Sequence, residues 1–117
     1  MGKLSTHVLD TANGRPAAGM RLTLFHEENG ALHAVKTAIT NADGRTDELL
    51  LDSSAMAVGV YELHFEGEAY FRALGASLPT PAFLDRVPIR FAIADVSGNY
   101  HVPLLVSPWS FSTYRGS

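Results

Sequence analysis

The stretch Val58-Gly59-Val60-Tyr61-Glu62-Leu63-His64-Phe65 decides the fold class. From Tyr61 to Phe65 every second side chain is large and apolar, whereas Glu62 and His64 between them are polar. Successive side chains of a β-strand point to opposite faces of the sheet, so this alternation is typical of a strand with one face in a core. The stretch therefore predicts an amphipathic β-strand.

Similar segments recur along the chain and are separated by residues that favour turns. Asn13-Gly14, Glu28-Asn29-Gly30 and Asp95-Val96-Ser97-Gly98-Asn99 contain the Asx and glycine residues that tight reversals need. Short strands and turns at this spacing indicate a β-sandwich. The further predicted strands cover residues 4–10, 20–26, 33–40, 86–94 and 100–106, with a last strand through Phe111, Thr113 and Arg115.

One segment has the composition of a helix instead. Residues 68–74 contain good helix formers, and Gly75 follows at the position where a glycine commonly ends a helix. We expect a single short helix here. Pro88 and Pro103 lie inside predicted strands and have no N–H to donate, so each should face away from a ladder partner or lie at a bulge.

Length and composition predict one globular domain. The chain has 117 residues, and single domains most often have about 100–150, so residues 1–117 are interpreted as one unit. Hydrophobic residues make up 46% of the chain and charged residues 18%. Disordered proteins are poorer in apolar residues and more highly charged, so the chain should fold.

Composition also argues against several partners. The formal net charge is −3 and basic residues form no run, which is unlike a nucleic-acid-binding protein. The absence of cysteine fits a reducing compartment. No apolar run is long enough to span a bilayer, and the first residues lack the apolar part of a secretory signal. We expect a cytoplasmic protein that binds neither nucleic acid nor membrane.

Two histidines are candidates for chemistry. His7 shares a strand face with Ser5 and Leu9, opposite the predicted core face. His101 alternates in the same way, but both faces of its strand are partly apolar, which indicates burial against another copy of the protein. A lone histidine is more often a surface or interface residue than a catalytic one, so both roles stay open for each.

Arg45 and the end of the chain are the other candidates. Arg45 directly follows the turn Asn41-Ala42-Asp43-Gly44. It is either a solvated charge or a fixed guanidinium for anionic or carbonyl oxygens. The final Tyr114-Arg115-Gly116-Ser117 continues a strand-like alternation, whereas termini commonly form polar tails. These residues are either an edge strand or part of a site.

Several familiar local patterns are missing from the sequence. It contains no Gly-x-Ser-x-Gly, no phosphate loop, no glycine-rich dinucleotide motif and no His-Glu-x-x-His pattern. Its five histidines show no local spacing typical of metal ligands, so no metal site is predicted.

Taken in order, three internal segments and the terminal tetrapeptide closely resemble the 5-hydroxyisourate hydrolase family. The segments are Leu4-Ser5-Thr6-His7-Val8-Leu9-Asp10, Thr40-Asn41-Ala42-Asp43-Gly44-Arg45, and His101-Val102-Pro103-Leu104-Leu105 with Ser107-Pro108. In addition, Tyr70-Phe71-Arg72-Ala73-Leu74-Gly75 resembles the short helix of the related transthyretins. The resemblance covers essentially the whole chain.

The resemblance implies an all-β, transthyretin-like β-sandwich of two four-stranded sheets with one short helix. It also implies a homotetramer, a dimer of dimers, whose central channel holds the active sites. The implied substrate is 5-hydroxyisourate, the product of urate oxidation in purine catabolism. Hydrolysis opens its six-membered ring to give 2-oxo-4-hydroxy-4-carboxy-5-ureidoimidazoline, and no metal or organic cofactor is implied.

The same resemblance assigns residues to the site. From the side-chain types we hypothesise that one imidazole activates water and that the other orients the water or protonates the departing nitrogen. The arginine is then expected to stabilise the developing oxyanion. The implied catalytic residues are His7, Arg45 and His101, and the implied substrate-binding residues are Tyr114, Arg115, Gly116 and Ser117. Which histidine is the base stays open at this point.

Two other functions fit parts of the pattern. A transthyretin-like carrier of hydrophobic small molecules would share the fold, but it needs an open apolar channel. His7, Arg45, His101 and Tyr114 make a channel polar and narrow instead. A structural interaction module is the second alternative, because a sandwich does not by itself determine function.

Overall fold

The computed structural model describes residues 1–116, which form two packed four-stranded sheets and one helix. One sheet has the strand order β2-β1-β7-β8 and the other β4-β3-β5-β6. This confirms the predicted all-β sandwich. The elements are β1 (Lys3–Asp10), β2 (Arg15–Pro16), β3 (Arg21–Glu28), β4 (Ala31–Ile39), β5 (Gly59–Glu66), α1 (Gly67–Ala73), β6 (Arg86–Ile93), β7 (Asn99–Val106) and β8 (Phe111–Thr113).

The strand that decided the fold class is β5, and it lies in the middle of its sheet. It pairs antiparallel with β3 on one side and β6 on the other. Tyr61, Leu63 and Phe65 are buried in the core between the sheets, and Glu62 and His64 point to the opposite face. The predicted alternation is confirmed.

The centre of the other sheet is the pair β1 and β7, which run parallel in continuous register from Lys3 opposite Asn99 to Asp10 opposite Val106. Among the described strand pairs this one alone is parallel. Thr6 lies on the core face of β1, and its hydroxyl donates a 2.7 Å hydrogen bond to the Val102 carbonyl. The odd-numbered residues of β1 therefore lie on the outer face, as predicted for His7.

Helix α1 is anchored to the sandwich by apolar burial and one polar contact. Tyr70 and Phe71 are buried, and the Tyr70 hydroxyl donates a 2.7 Å hydrogen bond to Oδ2 of Asp10. Burial would raise the pKa of Asp10, but hydrogen bonds from Asn13 and Tyr70 outweigh it and lower that pKa. Burial and the Asp10 carboxylate raise the pKa of Tyr70 to about 12. Gly75, with φ of 89°, follows the helix as expected.

The last strand is shorter than predicted, because regular pairing ends at Thr113 rather than Arg115. Gly116 still donates its N–H to the His101 carbonyl at 2.7 Å. The backbone groups of His101 therefore point toward the segment that follows β8, and those of Pro103, two residues later, point to the same side. Pro103 has no N–H to donate there. The ladder is interrupted at this proline, and its carbonyl accepts a 2.7 Å hydrogen bond from the Thr113 hydroxyl instead.

Pro88 does not interrupt a ladder in this way, because it lies on β6 at the edge of its sheet.

The two-residue strand β2 is an edge strand that the sequence did not predict. Within residues 1–116 no helix is both long and apolar enough to cross a membrane.

Candidate functional site

A polar cleft lies on the outer face of the β1–β7 pair, beside the end of the described chain. The parallel register brings Ser5 next to His101, and the turn after β4 brings in Arg45. The residues that line the cleft are Lys3, Ser5, Arg45, Asn99, Tyr100, His101, Tyr114 and Gly116.

His101 is half-buried on the outer face of β7. Its Nδ1 lies 2.8 Å from the Ser5 hydroxyl. Burial lowers the pKa of His101, and the positive charges of Arg45, His7 and Lys3 lower it further. The imidazole is therefore neutral near neutral pH, the state that a base needs.

Gly116 packs directly on the other side of the same ring. A Cβ at this position would lie 2.7 Å from Cδ2 of His101, closer than real Cβ atoms approach, and 3.3 Å from its Cγ, which is a tight contact. Only glycine leaves room for the imidazole here. The glycine of the predicted terminal motif is thus explained by its contact with a predicted catalytic histidine.

Arg45 is presented by a turn that its own sequence organises. The Asn41 side-chain oxygen accepts hydrogen bonds from the backbone N–H groups of Asp43 and Arg45, at 2.9 and 3.2 Å. Gly44 has φ of 75°, and its carbonyl accepts a 2.8 Å hydrogen bond from the Val8 N–H of β1. The turn is therefore held against β1, and Arg45, which follows it, lines the cleft.

His7 lies at the rim of the cleft rather than among the lining residues described above. It is the bridge partner of Arg45. Its Nε2 lies 3.0 Å from the Asp43 carbonyl oxygen, so the turn that presents Arg45 also holds the His7 ring. The structure thus brings His7, Arg45 and His101 into one neighbourhood, although they are far apart in sequence.

The terminal motif divides into residues with different surroundings. Tyr114 lines the cleft and is 61% exposed. The Arg115 guanidinium instead lies 4.1 Å from the centroid of the Tyr100 ring and donates a 3.2 Å hydrogen bond to the Asn99 carbonyl. Arg115 therefore ties the segment that follows β8 to β7. Ser117, a predicted substrate-binding residue, lies outside the described residues.

Four lining residues were not among the predicted site residues: Lys3, Ser5, Asn99 and Tyr100. A signal for Lys3 and Ser5 was present, because strand alternation places both on the same face as His7. The same alternation places Asn99 on the face of His101, whereas Tyr100, on the opposite face of that strand, carried no comparable signal.

The chemistry available in this cleft is proton transfer and the binding of oxygen-rich groups. Arg45 and Lys3 supply positive charge, and His101 supplies a neutral imidazole. Within residues 1–116 the structure brings together no group of three or more His, Asp or Glu side chains that could hold a metal ion.

Comparison with known proteins places this geometry in a family. Residues 4–116 match the family described as "Transthyretin: HIUase/Transthyretin family". The chain is also similar to a protein from Ralstonia nicotianae named 5-hydroxyisourate hydrolase, with 56% identity over 117 residues, covering 100% of both chains.

Solved structures agree with the fold. The chain is similar to the 5-hydroxyisourate hydrolase of Klebsiella pneumoniae, with a TM-score of 0.83, 33% identity and coverage of 100% of both chains. It is also similar to sea bream transthyretin in complex with thyroxine, with a TM-score of 0.86 and 26% identity over 97% of this chain and 94% of that one.

Proposed function

The chain belongs to the HIUase/Transthyretin family, and we propose that the cleft beside His101 is where it hydrolyses 5-hydroxyisourate. The observation that carries this assignment is the convergence of His7, Arg45 and His101 on one sheet face. Hydrolysis of a ring amide needs a base for the attacking water and donors for the oxygen that becomes negative. The cleft contains both kinds of group.

His101 is the general base in this proposal. Its pKa is lowered by burial and by the neighbouring positive charges, so it is ready to accept a proton near neutral pH. As the water oxygen bonds to the ring carbonyl carbon, the imidazole takes one proton from that water. The ring carbon–nitrogen bond then breaks, which leaves a new carboxyl group and a nitrogen that must be protonated.

His7 assists from the rim of the cleft. The Asp43 carbonyl oxygen can only accept a hydrogen bond, so Nε2 of His7 carries the hydrogen in that contact. Its Nδ1 is then the nitrogen available to water or substrate. We assign His7 to orienting the water or to protonating the departing ring nitrogen.

Arg45 stabilises the oxyanion that forms on the attacked carbonyl. A planar guanidinium offers a fork of donors that matches carbonyl and carboxylate oxygens. Loss of one such donor commonly lowers kcat by about 10²–10³-fold. Replacing Arg45 by lysine keeps the charge but not the fork, so we expect the lysine variant to recover little of this loss.

The terminal motif shapes the rest of the proposed site. Tyr114 and Gly116 bound the cleft directly, and the Arg115 contact with Tyr100 holds them in place. Arg115 therefore contributes to substrate binding through the position of its neighbours. A role for Ser117 in binding substrate or water remains part of the proposal.

A small-molecule carrier is the second candidate, favoured by the fold match to transthyretin bound to thyroxine. The lining of the cleft weighs against it, because Lys3, Arg45 and His101 present charge and hydrogen-bonding groups. A hydrophobic ligand would have to desolvate these groups without pairing them. Hydrolysis is the function that uses them.

We further propose a homotetramer in the cytoplasm. Leu9 and Leu105 are paired neighbours on the outer face that carries the site, and both are only half-buried in the single chain. Contact with a second copy would remove this apolar surface from water and enclose the cleft in a channel. The cytoplasm is the compartment that fits a chain without cysteine.

The decisive experiment follows the ultraviolet absorbance of 5-hydroxyisourate made from urate immediately before use. The purified protein should remove it much faster than its spontaneous decay. His101→Ala should lower kcat by about 10²–10⁴-fold, the usual range for a general base. Arg45→Gln should lower kcat by about 10²–10³-fold, as expected for the loss of an oxyanion donor.

His33→Ala is the matched control, because His33 is an exposed histidine on the other sheet. It should keep the wild-type rate. Wild-type protein that leaves the spontaneous decay unchanged would exclude the hydrolase assignment. Full activity of both His101→Ala and Arg45→Gln would show that the reaction occurs elsewhere.

A further inference from the structure

We infer that Ser5 is a positioning residue for His101, whose hydroxyl accepts a hydrogen bond from Nδ1 and thereby leaves Nε2 free to take the proton. The inference rests on the proposed role of His101 as the base. Its observation is the 2.8 Å contact between the Ser5 hydroxyl and Nδ1. Ser5 and His101 are 96 positions apart in sequence but directly opposite each other in the parallel β1–β7 ladder.

The backbone around Ser5 makes this contact a fixed one. Leu4 and Thr6 on either side are buried, and the Thr6 hydroxyl ties β1 to the Val102 carbonyl next to His101. Neither strand can slide relative to the other without breaking this buried bond and the ladder. The Ser5 hydroxyl is therefore held at the height of the imidazole.

Two neighbours together account for most of the ring's circumference. Ser5 contacts Nδ1, and Gly116 lies beside the opposite edge of the ring, where an added Cβ would meet Cδ2 and Cγ. The ring edge that neither neighbour contacts is formed by Cε1 and Nε2. Proton transfer is thus expected at Nε2.

The direction of the hydrogen bond between Ser5 and His101 follows from the need for a free lone pair on Nε2. Neutral imidazole carries one N–H, so a free lone pair on Nε2 requires the hydrogen to be on Nδ1. Nδ1–H then donates to the Ser5 hydroxyl, and it does so equally after Nε2 has been protonated. The same contact serves both protonation states, so proton uptake needs no rearrangement of the ring. If the hydroxyl donated instead, the hydrogen would be on Nε2 and the base would be blocked.

A hydroxyl is better suited to this place than a carboxylate. A carboxylate would also accept from Nδ1, but its charge would stabilise the imidazolium and raise the pKa of His101. The surrounding Arg45, His7 and Lys3 act in the opposite direction and lower it. Serine orients the ring without opposing them, so orientation and protonation state are controlled by different residues.

Three variants test the inference. Ser5→Ala should lower kcat by about 10–100-fold, as loss of a group that orients a functional histidine commonly does, with KM nearly unchanged. Ser5→Thr keeps the hydroxyl on a residue that suits a strand and should restore most of kcat. Ser5→Asp should keep the ring oriented but move the acid limb of the pH profile to higher pH. Ser53→Ala, which removes an exposed hydroxyl in the segment between β4 and β5, is the control and should match wild type.

A readout independent of activity separates this inference from the proposed function. Nitrogen NMR of the histidine rings above their pKa should show hydrogen on Nδ1 of His101 in wild type. Ser5→Ala should give a mixture of the two tautomers. Wild-type kcat together with an unchanged tautomer in Ser5→Ala would overturn the positioning role. If Ser5→Ala loses the tautomer preference that wild type shows, while wild type does not hydrolyse 5-hydroxyisourate, the Ser5 contact is supported and the assigned reaction is refuted.

Discussion

Gly116 lies so close to His101 that a single added carbon would displace the imidazole ring. The Cβ of an alanine at position 116 would be 2.7 Å from Cδ2. The Gly116 N–H also donates to the His101 carbonyl at 2.7 Å, so the backbone cannot easily retreat. Gly116 and His101 are therefore one packed unit.

Gly116→Ala should accordingly impair catalysis more than stability. A shift of about 1 Å in a catalytic group can cost about 10²-fold in rate, and we expect a loss of kcat of that order. Gly75→Ala is the opposite control: its φ of 89° disfavours alanine, but open space surrounds it, so it should lower stability by about 1–2 kcal/mol and leave kcat unchanged. Steady-state kinetics and urea unfolding measure both quantities. Equal kcat for Gly116→Ala and wild type would contradict the packing argument.

The pH dependence of kcat/KM should report the charges around His101. The base must be neutral, and its pKa is lowered by burial, Arg45, His7 and Lys3, so activity should fall only below the ordinary pKa of histidine. Lys3→Gln removes one of these positive charges. The acid limb should therefore move to higher pH, toward the ordinary value.

Lys36→Gln changes the net charge equally but lies on β4, paired with Glu48. Its pH profile should coincide with that of wild type. If Lys3→Gln and Lys36→Gln give the same profile, the Lys3 charge does not act on the base.

Asp10 and Tyr70 should couple stability to pH. Hydrogen bonds hold the pKa of Asp10 below its unfolded value, so their stabilisation is present above that value and is lost as pH falls through the folded pKa. Tyr70→Phe removes one charge-assisted bond and should cost about 1.5–3 kcal/mol at neutral pH. The cost should shrink in acid.

Tyr61→Phe is the matched comparison, because the Tyr61 hydroxyl donates to the neutral Ala57 carbonyl at 2.8 Å. Its cost should be about 0.5–1.5 kcal/mol and independent of pH. Urea unfolding of both variants across the acid range distinguishes the two cases. A pH-independent cost for Tyr70→Phe would mean that the Asp10 charge is not involved.

The outer face of the β1–β7 pair should control assembly. Leu105→Glu places a charge on the apolar surface shared with Leu9, so sedimentation should show a smaller species than wild type. Val35→Glu makes the same change at an exposed position on β4 and should leave the assembly intact. A wild-type monomer at micromolar concentration would rule out the tetramer.

Local pattern was sufficient for most of the strands and for the sheet face that His7 and Tyr61 occupy. Strand alternation placed His7 opposite the core and Tyr61 within it, and the turn residues before Arg45 marked where it would emerge. These features depend on neighbours in sequence, which is why they could be predicted.

Features that depend on residues distant in sequence could not be predicted from local pattern. The contact of Ser5 with His101 follows from a parallel pairing that no local pattern specifies. The interruption of the last strand has its cause in Pro103, on the neighbouring strand. The position of the Arg115 guanidinium over the Tyr100 ring likewise depends on a contact that the sequence does not show. In each case tertiary structure decides the surroundings of a residue whose own type is uninformative.

The parallel pairing of β1 with β7 also bears on how the protein acquires activity. Joining Ser5 to His101 closes a loop of 96 positions, and long loops are closed late because their entropy must be overcome first. A nascent chain that has emerged only as far as β6 contains His7 and Arg45 but lacks His101, the proposed base. Catalytic activity therefore reports complete folding. In a refolding experiment, recovery of activity should lag behind the burial of Tyr61 in the core.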